Sequence, residues 1–419
     1  MRIRSNLSLP AIITEGLLSR LSFGMIGFAI PLYARHLGFS LTQVGILVSL
    51  NSAVALCFKP LLGPVGDRFG LKRTFVTSIA MRSLVSLLLA FATGPFALYA
   101  IRSLYGVSMS LRDPSANGLI AEHGGKKSIA SAFAWYQTAR QVANSVSKTL
   151  AGVILALTAS NYPLLFVVAF VLSLLPVVLI ILFVREPVVE EPGPPIEPGV
   201  AAEGAVPARV KTSVLPFVGF GFLVAGTAEM LSGLFPVIAT EYAHLSNAEA
   251  GIIYTVSTLI AIFSGPVFGW LADHVSRRLT LLVRSVANTL SSALYLIWPS
   301  YLGVGVARSI DDMGKAAFRP AWGALMAQIS GADRNRRART MSWLSMGEDA
   351  GGVAAPVLAG FLWNTWGIAA LMSVRIVLAI MTEIYAFAIE RAQHAVLERT
   401  PAPAKPVHAL KGIASAPEA

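Results

Sequence analysis

The stretch 63-GPVGDRFGLKR-73 gives the first indication of the fold. It stands between two apolar runs, 44-VGILVSLNSAVALCF-58 and 74-TFVTSIAMRSLVSLLLAFA-92, and it combines small residues, one acidic residue and several basic residues at defined spacings. A loop that needed only to be soluble would not require this pattern. We therefore interpret the stretch as a working part that connects two helices.

The composition of the 419-residue chain is typical of a membrane protein. Mean hydropathy is +0.67 and only 13% of the residues are charged, whereas a soluble domain carries about a quarter. Apolar stretches long enough to cross a bilayer as helices recur along the sequence. Twelve are predicted, at about 10–34, 41–62, 75–93, 96–120, 129–157, 163–184, 213–239, 248–270, 280–298, 300–328, 340–362 and 368–389. Because a β-barrel would show shorter segments of alternating hydropathy, the sequence predicts an all-α polytopic membrane protein.

Basic residues are distributed unevenly between the two sides of this topology. With the amino terminus in the cytoplasm, the loops on the opposite side contain only Arg35. The cytoplasmic segments contain Arg2, Arg4, Arg68, Lys72, Arg73, Lys126, Lys127, Arg277, Arg278, Arg334, Arg336, Arg337 and Arg339. This asymmetry follows the positive-inside rule and predicts that both termini are cytoplasmic, in a plasma membrane or a bacterial inner membrane. It also accounts for the net charge of +11, so we expect the lipid bilayer and no nucleic acid as a partner.

The stretch 185-REPVVEEPGPPIEPGVAAEGAVPARVK-211 separates two halves of the chain. It is rich in Pro, Glu, Gly and Ala, has little to bury, and predicts a cytoplasmic linker. A similar bias at the carboxy terminus predicts a disordered tail. The predicted organisation is a first six-helix bundle, a linker, a second six-helix bundle and a tail, at 1–184, 185–212, 213–391 and 392–419.

The two halves repeat one pattern. A shift of 206 positions places Gly63 on Gly269, Asp67 on Asp273, Arg102 on Arg308 and Pro114 on Pro320. A shift of 208 positions places 150-LAG-152 on 358-LAG-360. Matches within two residues of one offset indicate an internal repeat of six helices. Both copies begin on the same side of the membrane, an arrangement typical of secondary transporters whose substrate site lies near the midplane between the repeats.

At this point the sequence resembles the major facilitator superfamily over essentially its whole length. The family's signature for the loop between helices two and three is Gly-x-x-x-Asp-Arg/Lys-x-Gly-x-Arg/Lys-Arg/Lys, and it is matched at Gly63, Asp67, Arg68, Gly70, Lys72 and Arg73. The second copy, 269-GWLADHVSRR-278, keeps the Gly-x-x-x-Asp spacing and a terminal Arg pair. The resemblance implies two pseudo-symmetric six-helix bundles that rock between inward-open and outward-open states.

Two helix signatures of the family are matched unequally. The fourth-helix pattern of proton-coupled members, Leu-x-x-x-Arg-x-x-Gln-Gly, is similar to 98-LYAIRSLYG-106, which has Tyr105 in place of Gln. The fifth-helix pattern of antiporters is poorly met by 147-SKTLAG-152, where Lys148 stands in place of Pro. A better version, 351-GGVAAPVLAG-360, occurs in the eleventh predicted helix.

Charged residues at the cytoplasmic helix ends suggest a latch in each half. We predict that Asp67 pairs with Arg112 and Asp273 with Arg319, and that each pair holds the cytoplasmic face closed in one conformation only. The alternative is a permanent ion pair at a helix end. The predicted latch residues are Gly63, Asp67, Arg68, Gly70, Arg73, Arg112, Gly269, Asp273 and Arg319.

Charges inside the predicted helices cost about 2.5–3.5 kcal/mol each at the bilayer centre on insertion scales, so they need partners or a water-filled cavity. Glu229 is the only charge at its level of the seventh predicted helix. Burial would favour its protonated form, so we predict that it exchanges a proton, with a fixed ion pair to an arginine of the other half as the alternative. The predicted proton-coupling residues are Glu229, Glu348, Asp349 and Asp312.

Arginines inside the predicted helices suggest an anionic substrate, because guanidinium groups bind carboxylates and phosphates. Arg20 and Arg140 are predicted near the midplane, and Arg102 and Arg308 nearer the outer side. The predicted substrate-binding residues are Arg20, Arg102, Arg140 and Arg308. On the tenth predicted helix, Asp311 and Lys315 are four residues apart and can neutralise each other, so structural compensation and a transport role both remain open there. Arg82 and Arg284 are predicted to lie at the periphery and to extend toward the membrane surface.

The sequence thus predicts a monomeric secondary transporter of a small molecule, with protons as the coupling ion. Export of a small organic or amphipathic compound is the first hypothesis, uptake or exchange of an organic anion the second, and a non-transporting receptor a remote third. No metal-ligand cluster, catalytic set or phosphate-binding Gly-x-x-x-x-Gly-Lys loop is found in the sequence. We therefore expect no cofactor, no enzymatic activity and no transport driven by ATP on this chain.

Overall fold

The computed structural model describes residues 7–62, 65–123, 129–186, 214–274, 277–331 and 337–399, and this part of the chain folds into helices without strands. The first half contains α1 (Ser8–His36), α2 (Leu41–Leu62), α3 (Val65–Phe69), α4 (Leu71–Ala90), α5 (Pro95–His123), α6 (Ile129–Leu157) and α7 (Tyr162–Phe183). The second half contains α8 (Leu215–Ser232), α9 (Phe235–Val237), a π-helical turn (Ile238–Tyr242), α10 (Asn247–His274), α11 (Arg277–Ile297), α12 (Tyr301–Gly331) and α13 (Arg337–Arg399).

Gly367 divides α13 into two helices. Its φ of 82° and ψ of 177° are not helical, and a positive φ is readily adopted only by glycine. The two parts of α13 correspond to the predicted helices at 340–362 and 368–389, so the prediction of twelve long helices is confirmed. The second part continues as a helix to Arg399, and the disordered tail expected at 392–419 stays a prediction. Most of the predicted linker, 187–212, and residues 400–419 lie outside the described residues.

Seven helical segments in the described part of the chain are long and apolar enough to cross a membrane by composition alone. The long helices α5, α6, α11 and α12 contain more polar and charged residues, among them Arg102, Arg284 and Asp311. These three side chains are at most 7% exposed. Because they point into the protein interior, they lower the mean hydropathy of their helices without placing charge against lipid.

Apolar packing differs between the two ends of the bundle, here called the Ser8 face and the His36 face after the two ends of α1. A large core near the His36 face contains residues of both halves, including Phe28 and Tyr33 with Phe235 and Tyr254. Near the Ser8 face there are two separate cores, one made only of first-half residues and one made only of second-half residues. The halves are therefore joined at the His36 face and part toward the Ser8 face.

Two helix crossings, α2 with α13 and α6 with α10, join the halves through glycines. Gly45 faces the carbonyl oxygen of Pro356 and Gly360 faces that of Leu41. In the other crossing, Gly251 faces the carbonyl oxygen of Lys148 and Gly152 faces that of Asn247. A methyl group on any of the four glycines would overlap the facing backbone. The shifts of 206 and 208 that relate the sequence repeats also relate these crossings, because Gly45 corresponds to Gly251 and Gly152 to Gly360.

Candidate functional site

A polar cavity of about 520 Å³ lies between the two halves. It is lined by residues of α1, α2, α5 and α6 from the first half and of α8, α10 and α12 from the second. Its charged lining consists of six basic residues and two acidic ones, namely Arg20, Arg102, Arg140, Lys148, Arg308, Lys315, Glu229 and Asp312. The volume is in the range of cavities that accept small organic molecules.

All four arginines predicted to bind substrate line this cavity. Arg102 is held against α2, since its Nε donates to the carbonyl oxygen of Leu47 at 3.1 Å and its Nη2 donates to the side chain of Asn51. In contrast, the structure gives Arg20 and Arg140 no hydrogen bond or ion pair with another described residue. The guanidinium carbon of Arg140 lies 5.3 Å from the centroid of the Tyr136 ring. The first-half wall therefore presents positive charge that is not neutralised by protein carboxylates.

On the second-half wall, Asp312 neutralises its neighbours on α12. Its carboxylate accepts from Arg308 Nε at 3.1 Å and from Lys315 Nζ at 3.3 Å. Ser257 of α10 donates to the same group at 2.8 Å. Compensation along one helix surface is therefore observed. Asp312 also lines the cavity, so the structure leaves it in a position to act in transport.

Asp311, the next residue of α12, lies in a buried charge network outside the cavity lining. It accepts from Arg284 Nη1 at 3.0 Å and Arg375 Nη2 at 2.5 Å, and Lys315 Nζ lies 2.8 Å from its Oδ2. Asp311 and Arg375 are each 0% exposed. This network fastens α11, α12 and the second part of α13 together. Sequence analysis did not identify Arg375, because nothing in its local sequence indicates partners 64 and more positions away.

The expected peripheral location of Arg82 and Arg284 is wrong. Arg82 is 3% exposed and Arg284 4% exposed. Arg82 lies 3.9 Å above the Phe23 ring, and its Nη2 donates to the Tyr105 hydroxyl at 3.3 Å. Both arginines are therefore held inside the protein by specific partners, and neither extends toward the membrane surface.

The predicted proton-coupling residues occupy different environments. Glu229 lines the cavity, but its side chain is exposed there, so the expectation of a buried carboxylate is wrong. It forms no hydrogen bond or ion pair with another described residue. Glu348 lies against Gly221 of α8, and Asp349 forms an exposed 3.4 Å ion pair with Lys59 of α2, which links the halves toward the Ser8 face. Of the four, only Glu229 and Asp312 line the cavity.

Arg112, the predicted latch residue, is bound inside the first half. Its Nη2 donates to Glu15 Oε1 at 2.9 Å and to the Tyr136 hydroxyl at 2.9 Å, and Arg112 is 2% exposed. Asp113 lies 3.5 Å from its Nη1. Glu15 was not identified from the sequence, since its partner is 97 positions away. The pairing of Arg112 with Asp67 stays a prediction, because the Asp67 side chain lies outside the described part of the structure.

The other latch residues are described only in part. Gly63 lies outside the described residues, as do the side chains of Asp273 and Arg319 and the surroundings of Gly269. Arg68 and Arg73 are exposed. Gly70 has a φ of 92° and precedes α4, where Glu186 at the start of the linker accepts a hydrogen bond from the Lys72 backbone N–H at 3.0 Å. Glycine is favoured there because side chains of other residues are strained at this positive φ.

At the closed His36 face, an ion pair joins the two halves. Arg35 of α1 donates from Nε to Glu241 Oε1 at 2.7 Å and from Nη2 to Oε2 at 2.8 Å. Its Nη1 donates to the carbonyl oxygen of Phe39 at 2.6 Å, which fixes the guanidinium plane. Two parallel bonds between a guanidinium and a carboxylate are the most specific form of ion pair. This pair therefore fastens the face opposite to the cavity opening.

Comparisons with known proteins agree with this architecture. Residues 16–220 and 217–418 each match the model of the Major Facilitator Superfamily. The chain is 26% identical over 278 residues to the probable nitrate/nitrite transporter NarK2 of Mycobacterium tuberculosis, which covers 64% of this chain and 66% of that protein. It is 25% identical over 313 residues to the multi-drug resistance efflux pump PmrA of Streptococcus pneumoniae, covering 72% and 75%. It is 25% identical over 386 residues to the multidrug resistance protein MdtG of Erwinia billingiae, covering 88% and 90%.

Solved structures show the same fold at low sequence identity. A bacterial homologue of the human lysosomal transporter Spinster, in an inward-facing and unoccupied conformation, superposes with a TM-score of 0.74 at 15% identity, over 93% of this chain and 98% of that one. The nucleoside transporter NupG superposes with a TM-score of 0.69 at 15% identity, over 91% and 98%. The family match, the two repeated halves and the central cavity agree with one another. The chain belongs to the Major Facilitator Superfamily and is an integral membrane transporter of that family.

Proposed function

We propose that this transporter carries a small organic anion through the central cavity by alternating access of its two halves. The observation that carries the proposal is the imbalance of charge in the cavity, where six basic residues face two acidic ones. Arg20 and Arg140 have no carboxylate partner in the described structure. Uncompensated charge inside a membrane protein is costly and marks a functional site, and an anionic substrate would offset it.

For direction and coupling, the proposal is export coupled to protons. Support comes from the loop signature around Asp67, from the names of the relatives PmrA and MdtG, and from Glu229, a carboxylate that faces the cavity without a protein partner. Uptake or exchange of an anion is the second candidate. It is favoured by the basic cavity and by the relative NarK2, whose name refers to nitrate and nitrite.

The proposed orientation places the Ser8 face in the cytoplasm, with both termini on that side. The uneven distribution of basic residues supports this assignment, since Arg35 is the only basic residue assigned to the loops of the other face. The structure then corresponds to a state open toward the cytoplasm. We further propose a plasma membrane or bacterial inner membrane as the location and a monomer as the transporting unit.

Proton coupling is tested with purified protein in liposomes under an imposed pH gradient. Candidate anionic, neutral and cationic metabolites are first ranked by the rise in melting temperature of the detergent-purified protein. With the best anionic compound, substrate addition is expected to cause proton flux. The Glu229→Gln variant is expected to lower that flux at least about tenfold, because an amide cannot exchange a proton.

The matched control is Glu122→Gln, which neutralises an exposed carboxylate at the end of α5, outside the cavity lining. Its flux is expected to equal that of the unmodified protein. Transport that is independent of the gradient and unaffected by Glu229→Gln would exclude proton coupling. Stabilisation and transport of cationic compounds, with no response to anions, would exclude the anionic substrate class.

A further inference from the structure

Two basic side chains that come from opposite halves of the transporter contact the ring of Tyr254 of α10. Lys148 Nζ, from α6, is 3.7 Å from the centroid of the Tyr254 ring, and the guanidinium carbon of Arg308, from α12, is 4.7 Å from the same centroid. The Tyr254 hydroxyl donates to the carbonyl oxygen of Ser232 at 3.1 Å, and its own carbonyl accepts from Ser145 Oγ at 2.9 Å. A hydrogen bond from each half therefore holds Tyr254 in place.

Neither basic side chain is fully satisfied. Arg308 is 4% exposed and uses Nε to bind Asp312, but its buried Nη1 has no hydrogen-bond partner among the described residues. Lys148 contacts the aromatic ring and forms no ion pair with a described carboxylate. Two cations at one ring repel each other, and a buried donor without a partner has given up its hydrogen bond to water. An anion held in the cavity by both side chains would offset this repulsion.

The internal repeat indicates that helix packing does not require Lys148. Under the shift of 208, Lys148 corresponds to Pro356. The carbonyl oxygens of these two residues face equivalent glycines, Gly251 and Gly45, in the two crossings. One crossing is therefore built with an uncharged residue at the position where the other carries an ammonium group. The charge is added at the wall of the cavity, which Lys148, Tyr254 and Arg308 all line.

We propose that Lys148 and Arg308 together bind the carboxylate group of the transported compound beside Tyr254, so that the substrate class is small organic carboxylates. Ile26, Ile30 and Val48 also line the cavity and offer apolar contacts to the rest of such a compound. The proposal rests on the proposed function, because it names the substrate class of the same cavity. A bound carboxylate would be attracted to both halves at once, so its binding favours conformations in which Lys148 and Arg308 approach each other.

The site is tested by binding to the full-length protein purified in detergent, followed by its melting temperature. The probes are benzoate, acetate, chloride and benzamide, the last being a neutral compound of the same shape as benzoate. Benzoate is expected to raise the melting temperature in a saturable way, and benzamide is not. Lys148→Gln is expected to weaken the apparent affinity for benzoate at least about tenfold, and Lys148→Arg to keep it within about threefold.

Two further variants make the comparison specific. Arg391→Gln removes one exposed positive charge on α13, away from the cavity, and is expected to leave benzoate affinity unchanged. Glu122→Gln removes an exposed negative charge at the end of α5, outside the cavity lining, and is also expected to retain affinity. If Lys148→Gln does not yield folded protein, Lys148→Met provides the same loss of charge for comparison with Lys148→Arg.

Benzoate flux into proteoliposomes, measured separately, distinguishes failure of the site from failure of the transport proposal. Equal benzoate affinity with and without Lys148 overturns the site, whether or not benzoate is transported. Absence of any carboxylate-dependent stabilisation overturns it as well. Binding that depends on Lys148 but without flux supports the site and contradicts carboxylate transport. Stabilisation by chloride as strong as that by benzoate, with displacement of benzoate and no benzoate flux, overturns the substrate role and identifies an inorganic anion site.

Discussion

At the scale of single residues, charges inside the bundle belong to two groups. One group is buried and forms ion pairs, as in the contact of Glu15 with Arg112 and in the cluster around Asp311. The other lines the cavity and includes Arg20, Arg140 and Glu229, which lack partners in the described structure. The first group stabilises each half as a rigid unit, and the second is available to substrate and protons.

The paired group gives a prediction about stability. Asp311→Asn leaves Arg284 and Arg375 without the carboxylate that neutralises them, and breaking one partner of a buried ion pair typically costs about 3–5 kcal/mol. We expect a large fall in the free energy of unfolding, measured by denaturant titration in detergent. Asp349→Asn, which breaks an exposed pair with Lys59, is the control and should cost about 0–1 kcal/mol. Equal effects of the two variants would contradict the structural role of Asp311.

The sequence revealed the members of these groups better than their partners. Arg102 and Arg308 were recognised because each places a charge inside a predicted helix, and both line the cavity. Glu15 and Arg375 were not recognised, because a contact across 97 or 64 positions leaves no trace in local hydropathy. Burial was misjudged for Arg82, which aromatic rings enclose. Ion-pair partners and burial both depend on which helix faces are turned toward one another.

At the scale of elements, hydropathy and length located the helices well, because a membrane-spanning helix needs a long apolar run. The exceptions have physical reasons. The seventh predicted helix is interrupted after Ser232, where Gly233 lies against Val48 of the other half. A new short helix begins at Phe235, with Pro236 in its first turn. The last helix extends to Arg399 through residues that form helix readily although they are polar.

The glycine crossings give a prediction at this scale. Gly360→Ala places a methyl group against the carbonyl oxygen of Leu41, and inserting an extra methyl group into a tight contact typically costs about 1–3 kcal/mol. The melting temperature in detergent is expected to fall, and the equivalent Gly152→Ala should have a similar effect. Gly27→Ala is the matched control, since its Cβ would meet nothing within 4 Å. An unchanged melting temperature for Gly360→Ala would show that the halves do not approach so closely in solution.

At the scale of the whole molecule, one core joins the halves at the His36 face and two separate cores lie near the Ser8 face. The ion pair of Arg35 with Glu241 reinforces the joined face, and that of Lys59 with Asp349 limits the separation at the other. Alternating access requires the contacts at the His36 face to break while the two halves approach each other at the Ser8 face. The equilibrium between conformations closed at the His36 face and conformations closed at the Ser8 face is therefore set by a small number of contacts between the halves.

Removal of the ion pair between Arg35 and Glu241 should favour conformations that are open at the His36 face. Arg35→Ala leaves Glu241 without its partner and is expected to broaden and lengthen distances across the His36 face. The distances are measured by pulsed electron resonance between spin labels at Leu157→Cys and Ile297→Cys, two exposed positions at helix ends on that face, in a Cys57→Ser background.

Exchange of the two charges provides the control for this prediction. The double variant Arg35→Glu with Glu241→Arg retains an ion pair and should restore the narrower distance distribution. Lys59→Ala removes a positive charge near the other face and should not widen the His36 face. Identical distances in all variants would show that the apolar core alone keeps this face closed.

The matched crossings also bear on how such a chain arose. Gly45 and Gly251 are equivalent, as are Gly152 and Gly360, so a six-helix ancestor that paired with a second copy of itself could have formed both crossings from one set of residues. In such a pair, any residue at the position of Lys148 would also occupy the position of Pro356. Only after duplication and fusion into one chain could one crossing acquire an ammonium group while the other kept a proline. The positive charge that Lys148 adds to only one of the two crossings is therefore a feature that could arise only after gene fusion.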